Sequence, residues 1–119
     1  MFFLKKKKIT GILDYYFSCN DYFIYDLCIT INAWCFKANE TINKSFYKNL
    51  LKGYESKRKL TVKEKESFNI CLRGAAMRFL LTRLYDYAFT DRSFLFDKDP
   101  KKYFKILNFH INNNLRKKN

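Results

Sequence analysis

The stretch GILDYYFSCNDYFIYDL, from Gly11 to Leu27, decides how this chain folds. It opens as a short apolar run that ends in a carboxylate, Asp14, passes through a polar turn at residues 18–21, and continues into an apolar segment that carries Asp26. β-type residues followed by turn residues predict a strand that gives way to a helix. Because carboxylates at the ends of buried strands are well placed to bind hard cations, Asp14 is a candidate metal ligand.

The residues before this stretch predict a β-hairpin. Short β-type runs at Phe2–Leu4 and Ile9–Leu13 lie on either side of the lysine run Lys5–Lys8. That lysine run has two interpretations, a solvated charged turn or a phosphate-binding patch, and we favour the turn.

The residues from Asp21 onward predict four helices. The first, Asp21–Phe36, is apolar on every side and is expected to be buried. Asp26 is its exception, and two alternatives stay open: pairing with donors from another segment, or a position near the helix start that faces solvent. The second helix, at 43–59, carries an apolar stripe of Phe46, Tyr47, Leu50, Leu51 and Tyr54.

The last two helices have recognisable start signals. Thr61–Glu64 matches a capping box and opens a long helix from Val62 to about Phe89. Asp99 and Pro100 supply an N-cap and a proline at the first helical position of the final helix. Its predicted apolar side is Tyr103, Phe104, Leu107 and Ile111. The predicted fold is therefore mainly α with a short N-terminal β-hairpin, in one domain over 1–119, with the hairpin and metal aspartate at 1–15 and the helices at 21–114.

Composition limits the function classes. The chain has 119 residues and a net charge of +13, but its lysines are spread along the sequence, which argues against a nucleic-acid site. The apolar stretch Tyr22–Phe36 is too short for a membrane span, and no signal peptide is visible. Four cysteines without a C-x-x-C pair and a single histidine, His110, argue against zinc and for reduced thiols in the cytoplasm.

The long helix carries three arginines whose roles the sequence leaves open. Arg73, Arg78 and Arg83 recur every five residues and therefore do not share one face. Arg83 can pair with Asp86 on the same helix. The small residues Gly74, Ala75 and Ala76 are expected to let a neighbouring helix approach closely. His110 is interpreted as structural.

Three segments resemble bacterial homoserine kinase, in the branch that has the aminoglycoside-phosphotransferase or protein-kinase-like fold. The first is Ile9–Trp34, which includes ITGILDYYFSCND and YDLCITINAW. The second is Leu72–Tyr87 (LRGAAMRFLLTRLYDY), and the third is Lys98–Pro100 followed by the helix through His110. The resemblance implies the C-terminal helical part of a protein-kinase-like α+β fold.

The resemblance also implies roles for individual residues. Asp14 matches the aspartate that coordinates the Mg²⁺ bridging the ATP phosphates. Asp26 matches the helix aspartate that braces the catalytic loop through backbone N–H groups. Arg78 and Arg83 lie on the helix that walls the substrate side, and the alternative for them is pairing with Asp86.

The sequence departs from the family pattern at its beginning. Family members carry a His-x-Asp…Asn catalytic loop just before the segment that matches Phe2 and Phe3, and this chain has no such loop. The general base and the upper lobe are thus expected to lie upstream, and ATP and Mg²⁺ are expected not to bind this chain alone. The full enzyme would phosphorylate L-homoserine in threonine biosynthesis. Two alternatives remain: half of a split kinase that needs an N-terminal partner chain, and a standalone basic helical module that binds an anionic partner.

Overall fold

The computed structural model describes residues 2–5, 8–12, 19–89 and 99–115. These residues form two strands and four helices, in the order β1 (Phe2–Lys5), β2 (Lys8–Ile12), α1 (Phe23–Trp34), α2 (Lys44–Lys57), α3 (Val62–Phe89) and α4 (Pro100–Asn112). The prediction of a mainly helical chain with a short N-terminal hairpin is confirmed.

The two strands pair antiparallel as the sequence predicted. The register runs from Phe2 opposite Ile12 to Lys5 opposite Lys8, with an irregularity between Phe3 and Leu4. Asp14, the predicted metal ligand, lies outside the described residues, and its role stays a prediction.

Helix α3 is the centre of the helical part, and its start is set locally. The backbone N–H of Thr61 donates to Glu64 Oε2 at 2.8 Å, while the N–H of Glu64 donates to Thr61 Oγ1 at 3.2 Å. This reciprocal pair is the predicted capping box. Both predicted ends of the helix, Val62 and Phe89, are confirmed.

One face of α3 packs against α1 and α4. The core between α1, α2 and α3 includes Ile24, Leu27, Cys28, Ile31, Tyr47, Phe68 and Leu72. The core between α3 and α4 includes Phe36, Ala76, Leu80, Tyr103, Ile106 and Leu107. None of the helices that the structure describes combines the length and the apolar character needed to cross a membrane.

The buried face of α4 matches the predicted one at Tyr103 and Leu107, which are 4% and 8% exposed, and differs from it at the other two positions. Phe104 and Ile111 are 59% and 53% exposed, while Ile106 and His110 are fully buried. Apolar residues are so frequent in α4 that they form two adjacent stripes, and packing on α3 selects the stripe that contains His110.

Two smaller expectations hold only in part. In the predicted apolar stripe of α2, Leu50, Leu51 and Tyr54 pack against the core as expected. In α2 the buried residue is Tyr47, whereas Phe46 is 58% exposed. Of the three small residues Gly74, Ala75 and Ala76, Gly74 takes no part in the packing against α1 and α4, because it is exposed and no heavy atom lies within 4 Å of a Cβ added there. The neighbouring Ala75 and Ala76 are the small residues that face the core.

Candidate functional site

A shallow cleft of about 440 Å³ opens between the start of α1 and the middle of α3. Two of the four predicted site residues, Asp26 and Arg78, line it. The other lining residues are Cys19, Asn20, Asp21, Tyr22, Phe23, Tyr25 and Ile29. Cys19, the first of these lining residues along the chain, directly follows the segment 13–18, which contains Asp14.

Asp26 projects from the outer side of α1. Helix α1 buries one face, which includes Ile24, Leu27 and Ile31, and the Asp26 side chain is exposed on another. Of the two alternatives that the sequence left open for this carboxylate, the solvent-facing one describes it in the structure. The role of Asp26 as a brace for a catalytic loop stays a prediction.

The entrance to α1 supplies a second carboxylate to the cleft. Asp21 Oδ1 accepts a hydrogen bond from the backbone N–H of Tyr22 at 2.7 Å. Tyr22 is the N-cap of α1, and its side chain makes no capping bond. The charge of Asp21 thus complements the positive end of the α1 dipole.

Arg58 helps to position this entrance. Its guanidinium carbon lies 4.8 Å from the centre of the Phe23 ring, and its Nη2 lies 2.9 Å from Glu64 Oε1. Arg58 Nη1 also donates to the Tyr54 hydroxyl at 3.2 Å. The hydrogen bond from Arg58 lowers the pKa of Glu64. Arg58 therefore links the starts of α1 and α3 to the end of α2.

Arg78 is the cation of the cleft. Its side chain is exposed on α3, and its guanidinium carbon lies 5.6 Å from the centre of the Phe79 ring. Together with Asp21 and Asp26 it gives the cleft charged groups of both signs. Such a lining can bind a ligand that carries both an ammonium and a carboxylate group.

Arg83 has different surroundings from Arg78. Its Nη1 donates to the backbone carbonyl of Asp99 at 3.1 Å, and its guanidinium carbon lies 4.6 Å from the centre of the Tyr103 ring. These contacts fasten the start of α4 to α3. The substrate-side role that the resemblance implied for Arg83 stays a prediction.

Arg73 holds the other end of α4. Its Nε donates to the carbonyl of His110 and its Nη2 to the carbonyl of Ile111, both at 3.2 Å. The last carbonyls of a helix have no partner within the helix, so Arg73 satisfies groups that would otherwise lack a partner there. Two arginines of α3 therefore hold α4, one at each end.

A buried polar contact joins α1, α3 and α4. Sequence reasoning identified His110 as structural but missed its partner, Asn32. Asn32 and His110 are both fully buried. The Asn32 side-chain amide donates to the carbonyl of Leu72 at 3.0 Å, and its Oδ1 lies 2.8 Å from His110 Nε2. Because Oδ1 needs a donor, the proton of the neutral imidazole lies on Nε2. An asparagine within an apolar helix was the available signal for this contact.

His110 is held in its neutral form. Burial, with a smaller effect from the Arg73 charge, lowers its pKa to about 4. In the described part of the chain, His110 Nδ1 has no hydrogen-bond partner. This position agrees with the interpretation of His110 as structural.

The cysteines belong mainly to the core. Cys28 and Cys35 are buried, and all four cysteines, Cys19 and Cys71 included, are free thiols. Burial raises the pKa of Cys28, and it raises the pKa of Cys35 to about 11. Within residues 19–89 and 99–115 and the strand residues, no three His, Cys, Asp or Glu side chains come together as a metal site.

Comparison with known proteins relates the chain to homoserine kinases. No family model matches the sequence. The homoserine kinase of Sinorhizobium fredii is 44% identical over 111 residues, which cover 92% of this chain and 34% of that protein. That of Caulobacter vibrioides is 45% identical over 111 residues, covering 92% and 35%. That of Gluconobacter oxydans is 43% identical over 106 residues, covering 88% and 34%. The chain spans about a third of the length of the curated relatives it matches.

Proposed function

We propose that this chain, a homologue of homoserine kinases, forms the substrate-side helical part of a homoserine kinase. The whole enzyme would transfer the γ-phosphoryl group of ATP to the hydroxyl of L-homoserine, a reaction of threonine biosynthesis. The supporting observation is the identity of 44–45% over 92% of the chain. We further propose that the helices belong to a protein-kinase-like fold and that the protein acts in the cytoplasm, where its free thiols stay reduced.

ATP and Mg²⁺ would need binding groups in addition to the residues that the structure describes. Mg²⁺ prefers near-octahedral oxygen ligation, so one carboxylate does not complete a site. The described residues contain no cluster of three possible ligands. We therefore propose Asp14 as one Mg²⁺ ligand, with the remaining ligands, the general base and the ATP-binding lobe supplied by the rest of the kinase.

The cleft supports a role in binding the amino-acid end of the substrate. L-Homoserine carries a carboxylate, and a guanidinium binds carboxylates through two parallel hydrogen bonds. Arg78 lines the cleft and is exposed, whereas Arg83 is already bonded to α4. We assign carboxylate binding to Arg78 and the bracing of the catalytic loop to Asp26.

Complementation tests this proposal. The chain is mixed with the part of the Caulobacter vibrioides homoserine kinase that lies outside the matched residues, about two thirds of that protein. Phosphorylation of L-homoserine is then followed by phosphorus NMR. We expect no turnover from either part alone and Mg²⁺-dependent turnover from the mixture.

Two variants make the test specific. Asp14→Asn should abolish turnover of the mixture, while Glu66→Gln, which neutralises an exposed carboxylate on α3, should leave it unchanged. Turnover by this chain alone would contradict the need for a second part. Two parts that co-purify yet never phosphorylate homoserine would contradict the catalytic proposal.

The net charge of +13 favours one other candidate, a standalone basic module that binds an anionic partner. Binding that depends on phosphate contacts must weaken steeply as salt rises. A titration with double-stranded DNA across a salt series checks this. Binding that is absent or insensitive to salt would exclude the candidate.

A further inference from the structure

We propose that the outward face of α3 is a docking surface for an acidic amphipathic helix of another polypeptide. We call this surface the outer seam. It consists of Ile70, Gly74, Met77, Leu81, Leu84 and Ala88. The inference does not depend on the kinase assignment, because it uses only the pattern, exposure and charge of α3.

The outer seam is apolar and exposed along its whole length. Ile70 is 70% exposed, Leu81 57% and Leu84 45%, and the small residues Gly74 and Ala88 are exposed as well. The residues that α3 buries against α1 and α4 lie on its opposite face: Phe68, Leu72, Ala75, Ala76 and Leu80. Helix α3 therefore has two apolar faces, of which the described part of the chain covers one. A continuous exposed apolar stripe of this kind marks an interaction surface.

The spacing of the outer seam fits a helical occupant. Its members follow each other at alternating intervals of four and three residues, the spacing of a coiled-coil seam. Large side chains stand on both sides of Gly74, where no heavy atom lies within 4 Å of an added Cβ. Such a gap between large residues can accept a side chain of a facing helix.

The charges beside the outer seam indicate which kind of helix would bind there. The charged residues that flank the outer seam at the coiled-coil rim positions between 70 and 88 are Arg73 and Arg78. The whole chain carries +13. A second copy lying antiparallel along the seam would bring two Arg78 side chains together, and like charges at such positions are destabilising. Acidic flanking residues on a different polypeptide would instead complement the two arginines.

Peptide binding tests the proposal. The probe is a fluorescent peptide of three heptads with Leu at the two core positions of each heptad and Glu at the flanking positions. Its matched partner carries Lys in place of Glu. Fluorescence anisotropy with the full chain should give a Kd for the Glu peptide at least about tenfold lower than for the Lys peptide.

Two protein variants locate the binding. Leu81→Asp places a charge in the outer seam and should weaken binding of the Glu peptide at least about tenfold. Phe104→Asp alters a side chain of nearly equal exposure on α4, 59% against 57%, and should leave binding unchanged. Circular dichroism checks that both variants keep the helical content of the parent chain.

Three outcomes would overturn the proposal. The first is equal affinity for the two peptides, and the second is no binding by a chain that is folded. The third is self-association in sedimentation experiments that Leu81→Asp abolishes, which would assign the outer seam to a second copy. None of these measurements uses kinase activity, so the complementation experiment and this one fail independently.

Discussion

The polar side chains of α1 and α3 lie in two regions with opposite surroundings. At the junction with α4, Asn32 and His110 are buried and bonded to each other, and Arg73 and Arg83 donate to backbone carbonyls of other elements. In the cleft, Asp26 and Arg78 are exposed. The same two helices thus hold the fold together on one side and present charged groups to solvent on the other. A polar residue of these helices therefore either joins two elements or presents a charge to solvent, according to which region it occupies.

The largest expected effect on stability comes from the buried contact. Asn32→Ala should lower the free energy of unfolding by about 3 kcal/mol, because it leaves His110 Nε2 buried without a partner and removes the additional hydrogen bond that the carbonyl of Leu72 accepts. Urea denaturation measures the change. Asn112→Ala, which removes an exposed amide on α4, should cost under about 0.5 kcal/mol. Equal losses for the two variants would break the distinction between the regions.

The pH dependence of stability should report the same junction. The pKa of His110 is lowered from 6.5 to about 4, so the unfolded chain binds a proton that the folded chain does not bind between these values. Stability should therefore fall as pH decreases from about 6.5 towards about 4, by roughly 2 kcal/mol over this range. Urea midpoints measured across that range test the expectation. The variant His110→Gln should show a weaker dependence of stability on pH. An unchanged slope of stability against pH in this variant would contradict the assignment to His110.

The smallest expected effects compare two arginines of one helix. Arg83→Gln should lower the free energy of unfolding by about 1 kcal/mol, because the carbonyl of Asp99 and the ring of Tyr103 lose their contact. Arg78→Gln should change it by less than about 0.5 kcal/mol, since its side chain faces the cleft. Thermal denaturation of both variants provides the measurement. A larger loss from Arg78→Gln would show that the cleft is part of the structural framework.

Sequence reasoning worked where the signals were local. The capping box at Thr61 and Glu64 marked the start of α3, and Asp99 with Pro100 marked the start of α4. These motifs act within one helical turn, so no other part of the chain is needed to interpret them. The candidate site was predictable in part, because Asp26 and Arg78 were named from the sequence and lie in one cleft.

The rest depended on contacts between helices. The apolar residues of α4 fit two adjacent stripes, and the sequence prediction was right for Tyr103 and Leu107 but wrong for Phe104 and Ile111. The sequence left open whether Asp26 is paired with another segment or faces solvent, and the exposure of its side chain became clear only because another face of α1 packs against the core. Arg73 and Arg83 bond to carbonyls on another helix, which no spacing along α3 can reveal.

The sequence by itself determined where the hairpin and the helices lie and to which kinases the chain is related, because capping, apolar periodicity and homology are properties of the linear chain. Only the tertiary structure decided which polar residues are buried, because that choice depends on which face of each helix meets another. Asn32 and His110 are far apart in sequence and become partners only when α1 and α4 pack against α3. The free energy of a buried polar group depends on such a partner, so the division between junction and cleft arises from packing.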